Sequence, residues 1–287
     1  MAVETTTFSN NSADTWFRDI MFDCVLCPRA CHVNRLAGQT GYCGQTAELM
    51  AARASLHYWE EPCISGTSGS GTVFFSGCNL RCVFCQNHNI ALGKAGRVIA
   101  PEHLAEIFLQ LQEQGANNIN LVTPTHFLPQ IVIALEQAKQ QGLHLPIVYN
   151  TGSYESPEAL RHLEGLVDIY LPDLKYFSPE LSTAYSHAPD YFETACAAIS
   201  EMYRQVGDSV IDEDTGLMQH GMIVRHLLLP GQTKDSKKIL RYLHETYGDH
   251  IYISIMNQYT PLPQVADIEV LNRTVTPEEY DRVLRFA

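Results

Sequence analysis

The sequence predicts an α/β chain folded as a partial (β/α)6 barrel of the TIM type, with a small Cys-rich extension ahead of it. Three observations lead there. From about residue 71 onward, short apolar runs rich in β-branched residues alternate with amphipathic helical patterns, as the βα units of a parallel sheet do. Six such runs can be counted, two short of a closed eight-fold barrel. Seven of the nine cysteines fall in two tight groups, one before the first run and one at its end.

The first strand is Thr72-Val-Phe-Phe-Ser76, ending where the second cysteine group begins. A helix follows from about Pro101: Leu104, Ile107, Phe108 and Leu111 form its apolar stripe and Gly115 ends it. Asn118-Ile-Asn-Leu-Val122 is the second strand, and a helix over roughly 128–141 closes at Gly142. The third strand is Ile147-Val-Tyr149, after which Ser156-Pro157 opens a helix as cap and first-turn proline. Val167-Asp-Ile-Tyr-Leu171 reads as the fourth strand. A long helix from about Asp190 to Val206 is expected to bury Phe192, Cys196, Ile199 and Tyr203. The fifth strand spans Met222 to Leu229 and the sixth Ile251 to Met256, with a helix over about 235–246 between them. Asp212-Glu-Asp-Thr-Gly216 reads as a surface turn, and Thr276-Pro-Glu-Glu279 is a capping box for a last helix.

Three segments are expected: a flexible polar arm over 1–20, the Cys-rich extension over 21–66 and the barrel core over 67–287. The arm has neither a basic start nor an apolar stretch, so it does not read as a signal peptide. No apolar run approaches the roughly 20 residues of a membrane helix. A cytoplasmic location with no membrane partner is therefore expected. Acids outnumber bases 32 to 19, for a formal charge of −13, which weighs against nucleic acid as a partner. An odd number of cysteines outside an oxidising context argues for metal rather than disulfides.

The segment Gly77-Cys78-Asn-Leu-Arg-Cys82-Val-Phe-Cys85 puts three cysteines in C-x3-C-x2-C spacing on one short loop. Three thiolates can hold three corners of a [4Fe–4S] cubane, whereas electron-transfer clusters use four cysteines. One iron is then left open for a ligand. The C-terminal ends of barrel strands are where such folds do their chemistry.

On these residues the chain resembles the radical SAM superfamily, and within it the group related to the pyruvate formate-lyase activating enzyme. The likeness runs from about Cys24 to the C-terminus and includes Trp59-Glu-Glu-Pro62, Gly69-Ser-Gly-Thr-Val-Phe-Phe-Ser-Gly77, Thr123-Pro-Thr-His126 and Ala188-Pro-Asp-Tyr191. It implies a [4Fe–4S] cluster on Cys78, Cys82 and Cys85, with S-adenosylmethionine (SAM) bound to the open iron through its amino and carboxylate groups. It implies reductive cleavage of SAM to a 5′-deoxyadenosyl radical that abstracts hydrogen from a substrate. An electron donor such as flavodoxin or ferredoxin, and a glycyl-radical enzyme as the activated partner, follow from the same resemblance.

The resemblance also suggests roles at the strand ends. Phe84 matches the aromatic that packs near the adenine. Where related proteins carry Gly-Gly-Glu after the second strand, to contact the SAM amino group, this chain has Thr123-Pro-Thr-His126, and Thr123 is the polar group left to serve. Asn150 and Thr151 offer an amide and a hydroxyl to the methionine moiety. Asp173-Leu-Lys175 resembles the Asp-Leu-Lys motif of activating enzymes; Lys175 could face a carboxylate or simply pair with Asp173. Arg225 matches in kind a fifth-strand arginine, whose guanidinium suits a carboxylate. Gln258 and Tyr259 lie where the adenine edge is read. His126 and His226, without a paired histidine nearby, read as structural or substrate-shaping rather than as metal ligands. Cys196 reads as a core residue, and Cys63 has no partner in sequence.

Cys24-x2-Cys27-x3-Cys31-x11-Cys43 precedes the barrel in a stretch with Pro28, Gly38, Gly41 and Gly44. Four thiolates can close a zinc site or hold a second iron–sulfur cluster, and only the first pair has zinc-knuckle spacing, so both metals stay open. Related proteins usually continue somewhat beyond the last helix, so a shortened C-terminus at Ala287 is expected. The function expected is reductive SAM cleavage in the service of glycyl-radical activation. Radical chemistry on a small molecule or peptide is the alternative, and a non-catalytic iron–sulfur or zinc protein the third reading.

Overall fold

The structure is a computed structural model that describes residues 12–287. Its strands are β1 (Met50–His57), β2 (Ser70–Phe75), β3 (Arg97–Val98), β4 (Ile119–Val122), β5 (Ile147–Thr151), β6 (Ile169–Pro172), β7 (Val210–Ile211), β8 (Met218–Leu227) and β9 (Tyr252–Met256). The helices are α1 (Ser12–Phe22), α2 (Pro62–Ser65), α3 (His88–Ala91), α4 (Pro101–Glu113), α5 (Leu128–Gln140), α6 (Pro157–Leu160), α7 (Pro179–Ser186), α8 (Tyr191–Val206), α9 (Thr233–Tyr247) and α10 (Pro277–Leu284).

β2, β4, β5, β6, β8 and β9 pair in that order and all in parallel, giving the six-stranded open barrel that the alternation predicts. β5 is buried at all five positions, as expected of a parallel strand covered on both faces. α4 starts with Pro101 at its first turn and turns Leu104, Ala105, Phe108 and Leu111 inward. The core also holds fully buried tyrosines whose hydroxyls find partners: Tyr170 donates to Gln205 Oε1 (2.6 Å) and Tyr191 to the carbonyl of Asp173 (2.8 Å).

Several elements depart from expectation. β1 runs antiparallel to β2 and carries β3 on its far edge, so part of the segment expected to be a separate extension is woven into the barrel sheet. Its sequence, Met-Ala-Ala-Arg-Ala-Ser-Leu-His, has little β pattern; pairing with β2 makes it a strand. β8 begins at Met218 because β7 pairs with its start, and the acidic turn over 212–216 closes that hairpin. Asp212 anchors the turn by accepting from the backbone N–H and hydroxyl of Thr215.

α8 is rotated relative to the predicted stripe: Tyr191, Ala195, Ala198, Ile199, Met202 and Val206 are buried. Phe192, Cys196 and Tyr203 are only half-buried, Phe192 packing on Phe177 and Tyr242 and Tyr203 on Tyr247. Small alanines let the helix approach the sheet while its aromatics cover the rim. Residues 12–20 of the expected flexible arm belong to α1, where Trp16 stacks on His162 at 3.6 Å. Residues 1–11 of that arm lie outside the described residues. No helix among the described residues is long and apolar enough to cross a membrane.

Candidate active site

The cysteine loop leaves the end of β2 through Gly77, which takes φ +93° and packs against Cys43 and Gln45. Arg81, also left-handed at φ +52°, turns the loop between Cys78 and Cys82. The loop is tied down by Asn79 Nδ2, which donates to the Tyr154 carbonyl (2.6 Å), and by the Val83 N–H, which donates to the Tyr185 carbonyl (2.9 Å). The Ser186 hydroxyl donates to Cys82 Sγ (2.9 Å) and the Leu80 N–H to Cys78 Sγ (3.4 Å). Burial raises the Cys78 thiol pKa and pushes that of Cys85 up to about 12. Metal binding at these thiols therefore releases protons.

The three cysteines line one cavity of about 240 Å³ at the C-terminal ends of the strands. Thr123 from the end of β4, Asn150 and Thr151 from β5, Asp173 and Lys175 after β6, and Arg225 from β8 line the same cavity. Phe84 forms part of its wall and meets Tyr176, Tyr185 and Tyr259 edge-on. Tyr259 lines it as well, but Gln258 does not: its side chain is exposed, and its carbonyl instead accepts from Gln86 Nε2 (3.4 Å). The chain turns after β9 and points Tyr259 inward instead, with its hydroxyl bonded to the Leu271 carbonyl (2.8 Å).

Charge within the lumen is balanced by contact. Arg225 donates through Nε to Asp173 (2.9 Å), through Nη1 to Glu60 (3.3 Å) and through Nη2 to Asn150 Oδ1 (2.6 Å). Lys175 bonds the other Asp173 oxygen, so the simple ion pair and the cation in the cavity are the same residue. Burial works against an ionised Asp173, but Arg225 and Lys175 outweigh it and hold its carboxyl below the usual range. Burial raises Glu60, opposed by Arg225. Sequence reasoning missed Glu60, although Trp59-Glu-Glu-Pro62 was among the stretches that carried the resemblance.

A second missed residue is Glu155, which is fully buried. One of its oxygens accepts from the hydroxyls of Thr125 (2.6 Å), Thr151 and Tyr149 (3.4 Å), while burial pushes its carboxyl up to about 7. It therefore fixes the Thr151 hydroxyl from behind. Thr123 is itself left-handed at φ +56°, a conformation glycine adopts more readily. His226 is buried with Nδ1 against the Leu174 carbonyl and Nε2 against Ser236 Oγ, and is structural as expected. Cys63 is half-buried at the edge of a small apolar cluster with Ile64 and Val148.

The donor set fits the group that the sequence suggests. No cysteine other than these three lines the cavity among the described residues, and the polar groups facing them include an ammonium, a guanidinium, an amide and two hydroxyls. Residues 72–243, more than half of the chain, match the sequence model of the Radical SAM superfamily. The chain belongs to the radical SAM superfamily. Membership implies a [4Fe–4S] cluster and SAM as cofactors.

This radical SAM protein is 28% identical over 280 residues to an uncharacterised protein of Methanocaldococcus jannaschii, covering 94% of this chain and 75% of that one. It is 29% identical over 121 residues to the pyruvate formate-lyase-activating enzyme of Clostridium pasteurianum, covering 39% of this chain and 48% of that enzyme. Among solved structures, anSMEcpe with bound AdoMet shares 13% identity at a TM-score of 0.48, over 73% of this chain and 56% of that one. The FeFe-hydrogenase maturase HydG from Carboxydothermus hydrogenoformans shares 13% at 0.49, over 73% and 48%. The chain thus spans about half the length of the solved structures that it matches.

Proposed function

We propose that this radical SAM protein holds its cluster on Cys78, Cys82 and Cys85, cleaves SAM reductively and takes a hydrogen atom from a glycine of a partner enzyme. The observation that carries the first two parts is the cavity itself, which three thiols from one loop share with polar groups from successive strand ends. The bound cluster would supply an electron to break a sulfonium C–S bond of SAM, leaving methionine and a 5′-deoxyadenosyl radical. The N–H of Leu80 and the hydroxyl of Ser186 stabilise thiolate charge at Cys78 and Cys82. Lys175 offers its cation to a carboxylate, and Asn150, held by Arg225, and Thr151, held by Glu155, form the polar wall beside it. Phe84 and Tyr259 supply apolar wall that keeps water from a reactive radical.

The glycine donor is supported by the partial likeness to the pyruvate formate-lyase-activating enzyme. A small molecule or short peptide as hydrogen donor is the second reading. The segment after β9 lies against the cluster loop, where Gln264 Nε2 donates to the Cys85 carbonyl (3.4 Å), and a donor of either size would enter beside it.

The test is anaerobic reconstitution with iron and sulfide, reduction with dithionite and addition of SAM. Wild-type protein should release 5′-deoxyadenosine and methionine, and Cys82→Ala should release neither. Release that survives in Cys82→Ala, or a cluster spectrum that ignores SAM, rejects the proposal. A glycyl radical signal on an added partner enzyme separates the two donors.

A further inference from the structure

A second, smaller pocket lies between the Cys-rich segment and the barrel. Its walls include Cys24, Cys27, Cys31, Cys43, Arg35 and His126. Nothing in the SAM chemistry proposed above uses these side chains.

His126 supplies the decisive observation. It is 2% exposed, and its Nε2 lies 2.6 Å from the Ser76 carbonyl, so that nitrogen carries the proton and donates. Nδ1 is then left with a lone pair, buried and without a hydrogen-bond partner, on the wall of a pocket ringed by four thiols. Metal-binding histidines show this arrangement, with one ring N–H given to a carbonyl and the other nitrogen free to ligate. An idle buried acceptor is otherwise costly.

The charges agree. Arg35 is 1% exposed, and its guanidinium donates to the Thr46 carbonyl (2.7 and 3.2 Å) and weakly to Cys24 Sγ (4.0 Å). Arg29, also on the pocket wall, donates to the carbonyls of Asn79, Ser186 and His187. No carboxylate pairs with either arginine among the described residues. A buried guanidinium calls for a counter-anion, which metal-bound thiolates supply. The backbone is also shaped for the purpose. Ala30 (φ +39°) and His32 (φ +51°) are left-handed on either side of Cys31, and a Cβ on Gly41 would lie 2.7 Å from Cys31 Sγ.

From these observations we infer that four ligands drawn from Cys24, Cys27, Cys31, Cys43 and His126 form a second metal centre of thiolate-rich, net anionic character. The five donors ring the pocket without three of them converging on one ion. Four such ligands can serve either a zinc ion or an iron–sulfur cluster, and the two arms of the test distinguish them. The centre adjoins the first one: a Cβ on Gly77 would lie 2.9 Å from the Cys43 carbonyl, and Asn79 lies against the Cys27 thiol. The Thr123–His126 turn serves both pockets, Thr123 facing one and His126 the other.

The inference does not depend on SAM cleavage, because the test counts metal. Full-length protein carrying Cys78→Ser, Cys82→Ser and Cys85→Ser is loaded anaerobically with ferrous iron and sulfide in one arm and with zinc in the other. About four irons with sulfide, or about one zinc, should remain per chain after desalting. Adding Cys24→Ser and Cys43→Ser should lower that figure at least five-fold. Less than about a tenth of either amount, with the circular dichroism of a folded chain, overturns the inference. Should the triple variant not fold, Cys24→Ser with Cys43→Ser in the otherwise native chain decides the matter. It loses the same metal and keeps the iron of the first cluster, or the centre does not exist. His126→Ala should shift the EPR spectrum of the reduced cluster, or the ligand-field bands of a cobalt-substituted site. Unchanged spectra remove His126 from the ligand set.

Discussion

Arg225 reaches three elements at once because its donors lie in one rigid plane. Asp173, Glu60 and Asn150 come from three different parts of the chain, and each bonds a different guanidinium nitrogen. Arg225→Met would leave two mostly buried carboxylates with only Lys175 to answer them. Removing one partner of a buried ion pair costs about 3 kcal/mol, and urea unfolding without SAM should show a loss near that size. Glu60→Gln in the same background should restore part of it, since it removes the uncompensated charge. A loss below about 1 kcal/mol would mean that the network adds little to the fold. Asp173, Lys175 and Arg225 were legible because Asp-Leu-Lys after the fourth expected strand and an arginine in the fifth resemble motifs of activating enzymes. Glu60 was not, because nothing local to it points to an arginine 165 positions away.

At the scale of elements, the joint between β2 and the cluster loop depends on a single glycine. Gly77 combines φ +93° with a Cβ position 2.6 Å from Gln45 Cγ and 2.9 Å from the Cys43 carbonyl. Gly115, which ends α4, has a similar φ of +84° but open space around it. The two alanine variants therefore separate backbone strain from crowding. Gly115→Ala should cost about 1 kcal/mol for the left-handed backbone alone, whereas Gly77→Ala should cost about 3 kcal/mol and weaken cluster retention. Equal losses in denaturant midpoint would show that the Cys43–Gln45 segment yields freely. The Thr123–His126 turn is left-handed at Thr123, while Thr125 bonds Glu155 and His126 lines the cysteine pocket.

For the whole molecule, the expected boundary between an extension over 21–66 and a core over 67–287 divides bonded partners. β1 covers the edge of β2, and Glu60 enters the barrel lumen to meet Arg225. α1 buries Met21 in the same continuous core as the barrel strands. A fragment spanning 67–287 should therefore be insoluble or lack a cooperative unfolding transition. Limited proteolysis of the intact protein should yield no stable product starting near residue 67. A soluble fragment with a sharp transition would restore the two-part organisation. The segment ahead of the barrel then counts as part of the catalytic unit, which also places the cysteine pocket firmly against the cluster loop.

What the sequence determined by itself is local in origin. Apolar periodicity over a few residues marks a strand or a helix wherever the chain places it, and six parallel strands followed from that. Three thiols within eight residues stay close together whatever surrounds them, so the cysteine loop was readable as a candidate cluster site before any fold was known. Tertiary structure decided everything that needed two distant segments to meet. It made a strand of Met50–His57, turned α8 toward its alanine face and kept Gln258 outside the cavity. It also brought Glu60 and Glu155 beneath the site and aimed His126 at four cysteines. Each of these depends on shape and burial at a meeting point, and a linear pattern carries no record of which surfaces will face each other.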